Sequence, residues 1–166
     1  MAKQDSIVLS HWYHLFEGMQ ESTQNFYSSL EQAINSRNLK DIKTSRIDYK
    51  EGGVFSAKRE YLRVKRREHL FDICAAPYGN GFFVSWWLGE KIGFLTRILL
   101  MIPFVNLFFM RIARPFTYYK IDTALMFQES ISSAVHEVID GITKTKGLRA
   151  LSELERKPIL TNIFTR

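Results

Sequence analysis

Residues 42–88, IKTSRIDYKEGGVFSAKREYLRVKRREHLFDICAAPYGNGFFVSWWL, decide the fold. Their side chains alternate with a period of two, which belongs to a strand with one dry face and one wet face. Residues 42–50, 54–68, 69–77 and 81–88 each carry this alternation. Glu51-Gly52-Gly53 separates the first from the second and Tyr78-Gly79-Asn80-Gly81 the third from the fourth, and glycine and asparagine accept the positive φ that tight hairpins need. Between residues 68 and 69 the break is polar but lacks glycine. The expectation is an antiparallel meander of three to four strands. In the second strand Leu62 and Val64 fall on one side, and Arg59, Arg63, Lys65 and Arg67 on the other.

Outward from this centre the period lengthens. Upstream, Trp12, Phe16, Met19, Phe26, Leu30 and Ala33 are spaced by threes, fours and sevens, which predicts an amphipathic helix over residues 10–39 with Ser10 as its N-cap. Downstream, Ala124, Phe127, Ile131, Ala134, Val135, Val138 and Ile142 predict a second helix over 122–147. It is capped by Asp122 and closed by Lys144, Lys146 and Gly147. A short helical piece at 148–155 and a tail reaching 166 complete the chain. The fold class is α+β, in a single domain over residues 1–166. A length of 166 residues suits one hydrophobic core.

Between sheet and closing helix lies the most apolar stretch, residues 92–112, IGFLTRILLMIPFVNLFFMRI. Only thirteen uncharged residues separate Arg97 from Arg111, about 20 Å of helix against a hydrocarbon core of about 30 Å. Pro103 removes a hydrogen bond near the midpoint. Both features favour a kinked helix or a re-entrant hairpin insertion over a straight span.

The charge pattern supports contact with lipid. The chain carries 23 Lys and Arg against 17 Asp and Glu, net +6. Residues 41–91 hold ten cations against seven acids, and residues 92–120 hold four against none, whereas the two ends are nearly balanced. Basic charge beside apolar surface suits an anionic membrane face. On this reading Phe94, Leu95, Ile98, Leu99, Leu100, Met101, Ile102, Phe104, Leu107, Phe108, Phe109 and Met110 contact the membrane interior. Trp86, Trp87, Tyr118 and Tyr119 sit at its interface, where rings with one polar end are favoured. Arg59, Arg63, Lys65, Arg67, Arg97, Arg111 and Arg114 meet headgroups or other phosphates.

Little points to a reaction. The lone Cys74 excludes an intrachain disulfide and a cysteine-rich zinc site, and its strand offers no neighbouring base. His11 and His14 lack a third ligand nearby, so no metal is expected. Phosphate-loop, dinucleotide, nucleophile-elbow and HExxH patterns do not occur. The polar start through Asp5 and the short Ile7–Leu9 run do not make a signal-peptide core. No cofactor and no catalytic residue is assigned. The expectation is a membrane-associated, non-enzymatic binding or scaffold protein at the cytoplasmic face, its partner an anionic lipid. The alternative is a soluble basic interaction or nucleic-acid-binding protein that buries residues 92–112 in its core or in a homo-oligomer interface.

Overall fold

A computed structural model describes residues 6–50, 58–91 and 117–161. In chain order they form β1 (Ser6–Glu17), α1 (Thr23–Ser36), β2 (Ile42–Lys50), β3 (Lys58–Arg66), β4 (His69–Tyr78), β5 (Gly81–Lys91), α2 (Tyr118–Thr145) and β6 (Ile159–Leu160). The strands make one antiparallel sheet in the order β2-β3-β4-β5-β1-β6. The protein is therefore α+β, with a six-stranded sheet and two helices among the described residues.

The helix expected over residues 10–39 is a strand followed by a shorter helix. Trp12 and Phe16 are four residues apart, a spacing that returns to the same side in either geometry. The step of two decides between them: Ser10, Trp12 and Phe16 are buried, whereas Tyr13, Leu15 and Glu17 are exposed. Gly18 then takes φ +71°, which ends the strand. Helix α1 starts after Ser22, not Ser10, and the Ser22 side chain makes no capping hydrogen bond. Its buried residues are Phe26, Tyr27, Leu30 and Ile34.

Strands β2 to β5 pair in chain order, but the sheet has six strands rather than the three or four expected, because β1 pairs along the whole of β5 and β6 pairs with β1. The polar break between β3 and β4 is a tight turn at Arg67 and Glu68, with Arg67 at φ +52° supplying the left-handed residue. In β1 the register slips between Val8 and Ser10, so Leu9 is an extra residue. Helix α2 begins four residues earlier than expected, at a Thr117 cap whose hydroxyl accepts from the Lys120 amide. Residues 148–155 are not helical. They form an extended passage and a turn held by Ser152 and Glu155, after which Ile159 and Leu160 pair with β1.

Both helices pack on one face of the sheet. One buried cluster joins Phe26, Leu30 and Ile34 of α1, Phe127, Ile131, Val135 and Ile139 of α2, and Trp12, Leu62, Val64, Phe71, Ile73, Phe82, Val84, Trp86 and Leu88 of the strands. Helix α2 runs along the sheet from end to end. Phe127 lies 6.1 Å from the Phe71 ring and 6.2 Å from that of His69, His136 lies 5.2 Å from Trp12, and the Lys146 ammonium reaches the Gln20 carbonyl and Glu21.

Candidate functional site

The other face of the sheet carries a groove. Strand parity turns Tyr49 of β2, Tyr61 of β3, Leu70 and Asp72 of β4, Trp87 and Gly89 of β5, and Ser6 and Val8 of β1 to this side, where they line a cavity of about 330 Å³. Among the described residues neither helix packs here. Asp72, the one charged residue inside an otherwise apolar stretch of β4, sits in the floor. Arg63 donates to it twice, at 2.7 Å from both Nε and Nη2, and the Tyr49 hydroxyl lies 3.1 Å from Oδ2. Arg63 also donates to the Tyr49 oxygen at 2.6 Å. Two-pronged pairing of this kind fixes both partners in plane.

The rings around Asp72 are equally fixed. Tyr49 and Tyr61 meet edge to face at 5.0 Å, and Trp87 stacks on His11 at 4.7 Å and 12°. Burial is the first cause that raises both tyrosine hydroxyls above their ordinary range, so both stay protonated at neutral pH. A Cβ on Gly89 would fit tightly beside them, 3.0 Å from the Ser6 hydroxyl, so the Ser6 side chain would have to shift.

A second feature occupies one end of the sheet. Ile42, Arg66, His69, Glu90 and Ile7 form one register row across five strands. Around this row lie Lys40, Lys43, Lys65, Arg66, Arg67 and Lys91, six cations against the three acids Asp41, Glu68 and Glu90. Arg67 and Asp41 pair loosely at 3.9 Å with both side chains mostly exposed, a contact worth little. The Lys91 amide donates to the Glu68 carbonyl at 2.7 Å, which ties the end of β5 to the basic turn. Because α2 meets this end at Phe127, its earlier residues project beyond it. Tyr118, Tyr119, Leu125 and Met126 are all exposed, Tyr118 to 89%.

The expected site residues therefore separate. Trp86 faces the helices and is wholly buried against Phe71, a packing residue because adjacent strand positions point to opposite faces. Of that pair only Trp87 reaches solvent. Arg63 is committed to Asp72, Arg59 and Lys65 are exposed on the groove side, and Arg67 is in the turn rather than on the strand. Phe94, Leu95, Ile98, Leu99, Leu100, Met101, Ile102, Phe104, Leu107, Phe108, Phe109, Met110, Arg97, Arg111 and Arg114 lie outside the described residues. Among the described residues no helix is long and apolar enough to cross a membrane.

The cysteine and histidines lie apart from one another. Cys74 is buried, and burial pushes its thiol up, away from the reactive thiolate. His69 lies on the helix side of β4 and Cys74 on the other. His11 and His14 likewise point to opposite faces, and no group of three metal-binding side chains occurs among the described residues. Tyr49 is a functional candidate that sequence spacing misses. No protein-family model matches the chain, and no curated protein is significantly similar to it.

Proposed function

We propose that the protein is a membrane-associated, non-enzymatic binding module that presents the basic end of its sheet to an anionic lipid surface. The reading is carried by the two brackets of residues 92–116. The chain leaves β5 at Lys91, beside the Arg66-Arg67 turn, and is described again at Thr117, the cap of a helix that projects beyond the same end. An acid-free apolar stretch that leaves and returns at one end of a sheet suits an insertion entering and leaving a bilayer on one side. Six clustered cations at that end suit the surface potential of anionic headgroups. Tyr118 and Tyr119, exposed at the returning end, are the ring type favoured at such an interface.

The test is flotation of the full chain with vesicles. Co-flotation with phosphatidylglycerol vesicles, resisting high salt and carbonate, is the expected result. A Lys65→Glu, Arg67→Glu double variant should bind more weakly, by roughly fivefold or more for each cation removed, at about 1 kcal/mol per basic residue near the surface. A chain that stays dissolved without detergent and does not float with anionic vesicles would overturn the proposal. Retention on nucleic acid that falls steeply with salt, without flotation, would favour the phosphate-binding alternative instead.

A further inference from the structure

We infer that the outer edge of β2 is a docking surface for a second copy of this chain, the two β2 strands pairing antiparallel about a two-fold axis at Ile47. This edge lies apart from the basic end, and the inference does not depend on the lipid reading.

The edge is long and unblunted. β2 stands at one end of the strand order, and among the described residues nothing pairs with its outer side. Its ladder with β3 runs without a slip from Ile42 opposite Arg66 to Lys50 opposite Lys58, and no proline interrupts it. The opposite edge strand, β6, has two residues, the short form that blunts an edge. The turn at Arg67 and Glu68 sets which backbone groups face outward. A two-residue hairpin closes on a hydrogen-bonded pair, here Arg66 and His69, so the even residues of β3 aim their amides and carbonyls at β4. The odd residues of β3 therefore bond the odd residues of β2, their partners in register. Thr44, Arg46 and Asp48 are left with N–H and C=O groups directed away from the sheet.

Charge selects both the occupant and its register. A two-fold axis normal to the sheet keeps the helices of both copies on one side, and it places one residue of β2 opposite its own counterpart. With Ile47 there, Arg46 faces the second copy's Asp48, and the symmetry makes this pair twice. With Arg46 on the axis two arginines oppose one another. With Asp48 there two aspartates do, and Arg46 meets Lys50. With Ser45 there Asp48 meets Ile42. Of the registers that overlap at least half of β2, the one centred on Ile47 alone sets opposite charges across from each other.

The two members of that pair suit the contact. Asp48 is exposed, no cation pairs with it among the described residues, and it lies directly across from Glu60 of its own chain, a like-charge opposition that weakens a sheet. A second cation at the edge relieves it. Arg46 is held in place by Glu31, which accepts from Nε and Nη2, so an incoming strand meets a fixed guanidinium. The axis points the basic ends of the two copies in opposite directions, so the contact leaves both of them free.

Ile47→Cys tests the axis directly. Residues on it form a non-hydrogen-bonded pair with Cα atoms about 4.5 Å apart, within the span of a disulfide. The native Cys74 is buried. Mild oxidation of the full chain should convert Ile47→Cys to a covalent dimer. Ser45→Cys should stay monomeric, since its counterpart would lie four residues along the facing strand, about 13 Å away. Sedimentation equilibrium of the unmodified chain should show reversible dimers in the micromolar range, the modest strength of a small interface. Asp48→Arg sets like charges across the axis and should weaken association about tenfold. Asp48 makes no ion pair in its own chain, so that variant should keep its fold, as circular dichroism would confirm. A chain that stays monomeric throughout, a folded Ile47→Cys that gives no covalent dimer, an equal yield from Ser45→Cys, or unchanged association in Asp48→Arg would each overturn the inference.

Discussion

The hydroxyl of Tyr27 stands in for a missing rung between Glu60 and Ala75. The β3–β4 ladder stops at Tyr61 and Cys74, and Glu60 and Ala75 are the next pair in register. The Tyr27 oxygen accepts from the Ala75 amide at 3.0 Å and donates to the Glu60 carbonyl at 2.8 Å, with the Ile73 carbonyl at 3.2 Å. Helix α1 is thereby hydrogen-bonded into the sheet where the strands part. Arg46 lies 4.4 Å over the same ring and is held there by Glu31.

Tyr27→Phe keeps the ring and removes that bridge. Two buried backbone groups lose their partner, so the variant should be less stable by about 1–3 kcal/mol in urea unfolding. An unchanged midpoint would show that the strands close the gap by themselves.

Gly81→Ala tests the close approach of β1 and β5. A Cβ there would lie 2.6 Å from the Phe16 carbonyl oxygen, a backbone atom that cannot turn aside. The expected loss is about 1–3 kcal/mol, the usual range for overpacking. Gly79→Asn should be far milder, because nothing lies within 4 Å of its Cβ position and asparagine tolerates the φ of +57°.

Acid should loosen the structure before its carboxylates titrate. Burial holds His14, His69 and His136 below the ordinary histidine value of 6.5, so the folded chain binds fewer protons than the unfolded one. Their contribution is complete above pH 6.5 and is lost as pH falls from there through the lower folded values. Melting temperature should therefore drop between pH 7.5 and 5. Replacing His69 and His136 by glutamine should flatten that dependence.

Alkali acts from the other side. Burial raises the hydroxyls of Tyr27, Tyr49 and Tyr61, so stability present below pH 10 is lost as pH rises beyond it. Absorbance of phenolate near 295 nm should show these tyrosines ionising together with unfolding.

Much of the sheet was legible because alternation is a local signal. The bounds of β2 agree with the reading residue for residue, and β4 and β5 differ from it by one and three residues at their ends. The first strand was misread because Trp12 and Phe16 satisfy both periods, and because β1 depends on a partner, β5, more than sixty residues away. The groove was legible only in part. Trp87 stands out by its neighbours in sequence, whereas Tyr49, Ser6 and Val8 converge through long-range pairing that no local pattern records. The lone acid in Phe71-Asp72-Ile73-Cys74 was the one nearby sign.

Leu9, the surplus residue in β1, sets which way the strand's beginning looks. From Ser10 onward the even positions turn toward the helices, and an unbroken pleat would send Val8 and Ser6 the same way. The added residue reverses that parity, so both instead complete the wall of the groove opposite Tyr49 and Tyr61. Drawing Leu9 into the ladder would swap the sides of everything before it, exchanging a lined hollow for a polar serine thrust at the packed interior.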